Sequence, residues 1–241
     1  MATVSITVDC EAADKGRCYT RELVRAAEEF TVPLTWLILT SEKDPLSNLD
    51  LYYNEFFHRI PSWHEVGLLV RFENSHGYIS DPGERGNAIR VGRDALKSRH
   101  VKPTSFRAAG FDLLPSDLRH LEDSGFLVES SSVPGAADKH GVSRPPAPEQ
   151  PYRPSYENLN KPGDAKILAA PLATHRGVCG YLDLGWEKVQ PILDRRLTGT
   201  GAIVLAVSDY VGAAETLRKT IALCKERGAR FSSLTQLAAE A

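Results

Sequence analysis

The sequence predicts an α/β domain of barrel type, close to the TIM barrel. Three observations carry this. Short apolar runs alternate with helical patterns along all 241 residues. Several of the runs are apolar on both faces, as parallel strands buried on both sides require. The turn after the first run, "DCEAADKG", is acidic and has no GxGxxG. That counts against the competing doubly wound open sheet, which often binds its ligand at a glycine-rich first turn. The length suits one large domain or two small ones, and a single domain over 1–241 is the reading adopted.

Taken in order, "VSITV" (4–8) is the first strand and "TRELVRAAEEF" (20–30) its helix. Thr20 is placed as N-cap, with Leu23, Val24, Ala27 and Phe30 on one face. "PLTWLIL" (33–39) is the second strand, and the aromatic run "LYYNEFFHRI" (51–60) reads as core. "VGLLV" (66–70) is the third strand, followed by a loop and a helix over 86–99. "TSFRA" (104–108) is the fourth, and the next helix has Ser116 as N-cap and Gly125 as stop. "FLVES" (126–130) is the fifth. The stretch 131–165 is rich in Pro, Gly, Ser and charge and too long for a plain connection, which marks it as a functional loop. "KILAAPL" (166–172) and "GAIVLAVS" (201–208) are the sixth and seventh strands, separated by a helix containing Pro191. A helix over 212–228, closed by Gly228, precedes a last strand and short helix.

Hydrophobic residues make up 42%, charged residues 25%, and the net charge is −2. That composition belongs to a globular protein and excludes a general nucleic-acid binder, which needs a basic surface. No basic-then-apolar leader opens the sequence. No apolar run approaches the ~20 residues that span a bilayer, so no membrane partner is expected. Cys10, Cys18, Cys179 and Cys224 lack zinc spacing and read as free thiols of a reducing, cytoplasmic compartment. Cys224 is assigned to the core.

Parallel α/β folds gather their chemistry at the C-terminal ends of strands. Those ends carry Asp9 and Glu11, then Arg71, Glu73 and His76, then Arg107, then Thr174, His175 and Arg176, and last Ser208 and Asp209. Asp9 and Glu11 are two apart, so on an extended chain their carboxylates point the same way. Close carboxylates repel, which suits either a cation between them or an acid/base pair. Arg107, flanked by apolar residues, needs an anionic partner, and Asp9 or Glu11 is the natural one. His64 precedes its strand and reads as structural. Cys10 lies between the acids and points away from them by alternation.

Several of these segments resemble the polysaccharide deacetylases, the NodB-homology proteins of carbohydrate esterase family four. "ITVDCE", "VPLTWLI", "HEVGLLVRFE", "SFRAAGFDLLPSDLRHLEDSGFLVESS", "PYRPSYENLNKPGDAKILAAPLATHRG" and "RGARFSSLTQL" follow that family's motif order over nearly the whole chain. The resemblance implies a distorted (β/α)7 TIM-like barrel, and metal-assisted hydrolysis of an acetyl group on a sugar. Carried over residue by residue, Asp9 matches the base, Glu11 the acidic metal ligand, and Arg107 the arginine that orients the base. Leu69 and Arg71 stand where the two metal histidines belong, and Val207 and Ser208 where the late acid histidine belongs.

The expectation is therefore a divergent deacetylase-like protein acting on a carbohydrate or sugar-like molecule by hydrolysis of a C–N or ester bond. Asp9, Glu11 and Arg107 would be catalytic, and Arg71, His175 and Asp209 would hold substrate. No metal is expected in the usual positions; a surviving Zn²⁺ or other divalent ion would draw on Glu11, Glu73 and His76. Two rivals stay open: a metal-free acid/base enzyme using Asp9 and Glu11, and an inactive sugar-binding or scaffold protein.

Overall fold

The structure, a computed structural model, describes residues 1–11, 18–40, 52 and 61–241. The aromatic run assigned to the core therefore lies outside the described residues, apart from Tyr52. In chain order the elements begin with β1 (Ala2–Cys10), α1 (Thr20–Glu28), β2 (Thr35–Leu39) and β3 (Glu65–Val70). A small hairpin, β4 (Glu73–Asn74) and β5 (Gly77–Tyr78), precedes α2 (Pro82–Lys97) and β6 (Ser105–Ala108). Then come α3 (Asp117–Asp123), β7 (Val128–Glu129), β8 (Leu168–Ala169) and a second hairpin, β9 (Thr174–His175) and β10 (Val178–Cys179). The chain continues with α4 (Trp186–Arg196), β11 (Gly201–Ser208), α5 (Ala214–Glu226), β12 (Arg230–Phe231) and α6 (Leu234–Glu240).

The main sheet runs β11-β1-β2-β3-β6-β7-β8, all parallel. β1 is its longest strand because Val4, Ile6 and Val8 bury one face, while Ser5 and Thr7 find partners on the other, in Ser232 and the Leu205 carbonyl. It pairs with β11 from Ala2–Gly201 to Asp9–Ser208. Strands β3 and β6 approach closely because residue 67 is glycine: a Cβ there would lie 2.2 Å from Ser105 Oγ. Between β8 and β11 the ladder thins to single parallel bridges, Leu172–Val204 and Tyr181–Ala206. This seam is the distortion of the barrel, and the β9–β10 hairpin is inserted there.

Helices cover the outer face; α1 packs on α5 and α2 on α3. The second helix begins at Pro82, four residues earlier than its periodicity suggests. Asp81 caps it by accepting the Glu84 N–H at 2.9 Å, and Pro82 at the first position has no N–H to satisfy. Ser116 is the N-cap residue of α3 but makes no capping bond through its side chain; Asp117 accepts the Leu114 N–H there instead. Thr20 opens α1 from inside the first turn rather than capping it. Gly125 does stop α3, at φ 85°. The fifth and sixth strands are shorter than their apolar runs, two ladder residues each.

The closing helix α6 has a full capping box, Ser233 with Gln236. Its Leu234 and Leu237 share a buried cluster with Val128, Leu168 and Val204. His64 accepts the Leu34 N–H at 2.9 Å, and burial lowers its pKa to about 4, in keeping with a neutral structural role. Cys224 is fully buried in the outer core, and Cys10 lies there too, turned away from its acidic neighbours.

Candidate functional site

Asp9 is the last residue but one of β1, on the inner face of the barrel. Arg107, from β6 across the barrel interior, donates from Nη1 to Asp9 Oδ1 at 2.6 Å and to Thr7 Oγ1 at 2.8 Å. Its Nε and Nη2 reach the Ser130 carbonyl and hydroxyl at 2.6 and 2.8 Å. The guanidinium fork thus makes four hydrogen bonds to buried protein acceptors, as its burial requires. The other Asp9 oxygen accepts the Tyr181 phenol, which enters the barrel through the seam between β8 and β11. Burial alone would raise the Asp9 pKa, but Arg107, Lys139 and Tyr181 together hold it below the usual carboxylate value. Asp9 is an ionised acid sealed at 2% exposure.

Glu11 lies one residue beyond the end of β1. Its backbone N–H donates to Asp209 Oδ1 at 2.9 Å, and its Oε2 accepts from Arg71 Nη2 at 3.1 Å. Burial raises its pKa, with Asp9 and Asp209 adding to the rise and Lys139 and Arg71 opposing it. Unlike Asp9, it lines a cleft of about 380 Å³, shared with Arg71, Glu73, Tyr78, Asp112 and His140.

A third charge completes the pair. The Lys139 ammonium lies 3.9 Å from Asp9 Oδ2 and 4.0 Å from Glu11 Oε1, and its side chain is 7% exposed. It donates to Ser208 Oγ at 2.8 Å and faces the rings of Tyr181 and Tyr210 at 4.8 and 5.1 Å. Asp9, Glu11 and Tyr210 raise its pKa well above the usual lysine value despite burial. Lys139 comes from the long loop over 131–165. Its neighbour Asp138 accepts the N–H groups of His140 and Val142 and is bridged by Arg144 at 2.6 Å. Arg144 also reaches the Gly110 carbonyl. The turn is locked, with Lys139 directed inward and His140 in the cleft.

The structure brings together Asp9, Glu11, Arg107 and Arg71, sets Glu73 on the same cleft, and places Asp209, His175 and His76 differently. Asp209 is fully buried and braces the wall, accepting from the Glu11 N–H, Tyr52 and Cys18. It therefore does not offer a carboxylate to a ligand, because it follows Ser208, the residue that shares the inward face with Asp9 in the β1–β11 register. His175 sits on the β9–β10 hairpin, with its ring beside Arg195 of α4 rather than at the cleft. His76 lies in the turn between β4 and β5, its N–H on Asn74, while Glu73 lies on the cleft wall.

The divalent ion that the resemblance implies does not fit these residues. Leu69 fills the interior with Leu37, Leu39 and Ala109, and Arg71 sets a permanent charge on Glu11. Of Val207 and Ser208, which stand where the late histidine belongs, Ser208 holds Lys139 instead. Among the described residues, no group of three His, Cys, Asp or Glu side chains converges on a point, so Glu11, Glu73 and His76 do not form a substitute set.

No family profile matches the sequence, and no curated protein matches it either. Solved structures do match over almost the whole chain. A Mycobacterium smegmatis protein described as a polysaccharide deacetylase is similar with a TM-score of 0.69 at 19% identity, over 99% of this chain and 89% of that one. A Parabacteroides distasonis protein described as a glycoside hydrolase/deacetylase gives 0.70 at 14% identity, over 99% and 71%. A mutant of a CE4-family pseudoenzyme, described as having restored enzymatic activity, gives 0.60 at 10% identity, over 99% and 68%. The chain has the fold of the polysaccharide deacetylases, the distorted (β/α)7 barrel.

Proposed function

We propose that this chain, which folds as polysaccharide deacetylases do, is a divergent deacetylase-like protein that takes a carbohydrate or sugar-like molecule in the Glu11 cleft. It hydrolyses a C–N or ester bond there without a divalent ion. The observation that carries the reading is the division of labour between the two acids. Asp9 is spent on Arg107, Tyr181 and Lys139, while Glu11 lines a cleft of about 380 Å³, close to the lower end of ordinary ligand pockets.

In this reading Glu11 is the base. It takes a proton from the water whose oxygen bonds to the acyl carbon. The C–N or C–O bond then breaks, the acyl group leaves as acetate, and Glu11 returns the proton to the leaving nitrogen or oxygen. A carboxylate whose pKa is raised by burial is better matched to this exchange near neutral pH than an ordinary one. Arg71 and His140, on the same cleft, supply N–H donors for the substrate's oxygens.

The test is acetate release from N- and O-acetylated sugar oligomers, with and without EDTA, for wild type and Glu11→Gln. Release that ignores EDTA and is lost in Glu11→Gln supports the proposal. Release abolished by EDTA overturns it.

One observation favours a second reading. The acid that matches the family's base, Asp9, is sealed from any substrate. If the oligomers bind in the cleft and none is turned over, the protein is a sugar-binding barrel without the reaction.

A further inference from the structure

Two carboxylates, Asp9 and Glu11, face three cations: Arg107 on Asp9 Oδ1, Arg71 on Glu11 Oε2, and Lys139 near the remaining oxygen of each. Asp209, whose Oδ1 accepts the Glu11 N–H, lies behind them, so three acids meet three cations and the cluster is already balanced. Adding a divalent ion would place like charges within a few ångströms of one another in a poorly hydrated pocket, where Coulomb repulsion is weakly screened. By the resemblance Glu11 matches the acidic metal ligand, and the Lys139 ammonium lies 4.0 Å from its Oε1. We propose that Lys139 is a built-in counter-ion that takes the place of a divalent cation at the acid pair and keeps the site closed to metals.

The surroundings of Lys139 are built for this role. An ammonium buried without partners would be costly. Here Ser208 accepts from it at 2.8 Å, two aromatic rings face it, and two carboxylates flank it. Ser208 is itself fixed, its N–H donating to Asp183 Oδ1 at 2.9 Å. The Asp138–Arg144 turn holds the loop so that Lys139 points inward. The role is independent of whether the cleft turns over a sugar.

The experiment is a melting-temperature series on full-length wild type, Lys139→Met and Lys139→Arg, in EDTA and then in excess ZnCl2. Lys139→Met removes the one cation that lies near both acids. It should melt lower in EDTA and regain about 4 °C with ZnCl2. Wild type and Lys139→Arg should not move. Adding Glu11→Gln to Lys139→Met should abolish the gain, which separates the site from stray surface binding. A wild type that gains as much as Lys139→Met overturns the proposal. So does a folded Lys139→Met with no response. Should Lys139→Met not fold, Lys139→Gln, which can still donate to Ser208, is read by the same criteria.

Discussion

The Lys139 ammonium stands 4.0 Å from the Glu11 carboxylate, on the side of it that faces Asp9. Residues 128 positions apart in the chain are joined by a single locked turn in the long loop. The remaining chemistry of the barrel mouth follows from that contact: Glu11 is partly neutralised yet still lines the cleft, and Asp9 is enclosed behind it.

The turn is the support for this arrangement, so loosening it should free the lysine. Asp138 is buried and accepts two backbone N–H groups as well as the Arg144 guanidinium. Asp138→Ala leaves those donors unmet and should destabilise the fold by about 2 kcal/mol. Urea unfolding checks this; a variant within error of wild type would mean that the turn holds without Asp138.

Removing Arg107 should cost more. Its partners are Asp9, Thr7 and Ser130, all buried, and Arg107→Ala leaves an ionised Asp9 with less compensation. The expected loss is about 3 kcal/mol, measured by the same unfolding experiment. Because the folded Asp9 pKa lies below its unfolded value, the wild type draws stability from Asp9 above that unfolded value. It loses this as pH falls through the folded pKa. The gap between wild type and Arg107→Ala should therefore narrow in acid.

Glu129 should act with the opposite sign. It is 3% exposed at the end of β7, accepts the Ser131 N–H at 2.7 Å, and burial pushes its pKa up to about 7. A carboxyl with a raised folded pKa favours the fold below its unfolded value near 4.5 and loses that contribution as pH rises through about 7. Glu129→Gln should therefore gain stability relative to wild type between those pH values, by on the order of 3 kcal/mol in total. Melting temperatures taken across that range check it, and a gap that does not change with pH would contradict it.

The barrel was legible in the sequence because its strands are apolar on both faces and end in polar punctuation. The Asp9–Arg107 pair was legible too, since an arginine inside "SFRAAGF" needs an anion and the first strand ends in one. Lys139 was not, because it lies in a stretch with no periodicity, where the loop's length signals function without saying which side chain carries it. The available signal was local: Asp138 and Arg144 bracket the lysine at a spacing that an ion-paired turn can close. Asp209 and His175 were misplaced for geometric reasons. Ser208, not Asp209, shares the inward face with Asp9, and the β9–β10 hairpin carries His175 toward α4. The full length of α2 was hidden because its first turn is set by the cap at Asp81 and not by apolar spacing.

The central claim is that an internal ammonium, and not just the missing histidines, keeps metal from the acid pair. Restoring the histidines alone should therefore fail. Leu69→His with Arg71→His places two imidazoles near Glu11 but leaves Lys139 within 4.0 Å of it. Adding Lys139→Met removes the competing charge and leaves a carboxylate and two imidazoles to bind Zn²⁺. The measurement is calorimetric titration of both variants with Zn²⁺. The triple variant should bind at least about tenfold more tightly than the double, a difference of roughly 1.4 kcal/mol. Equal affinities in the two variants would contradict the account.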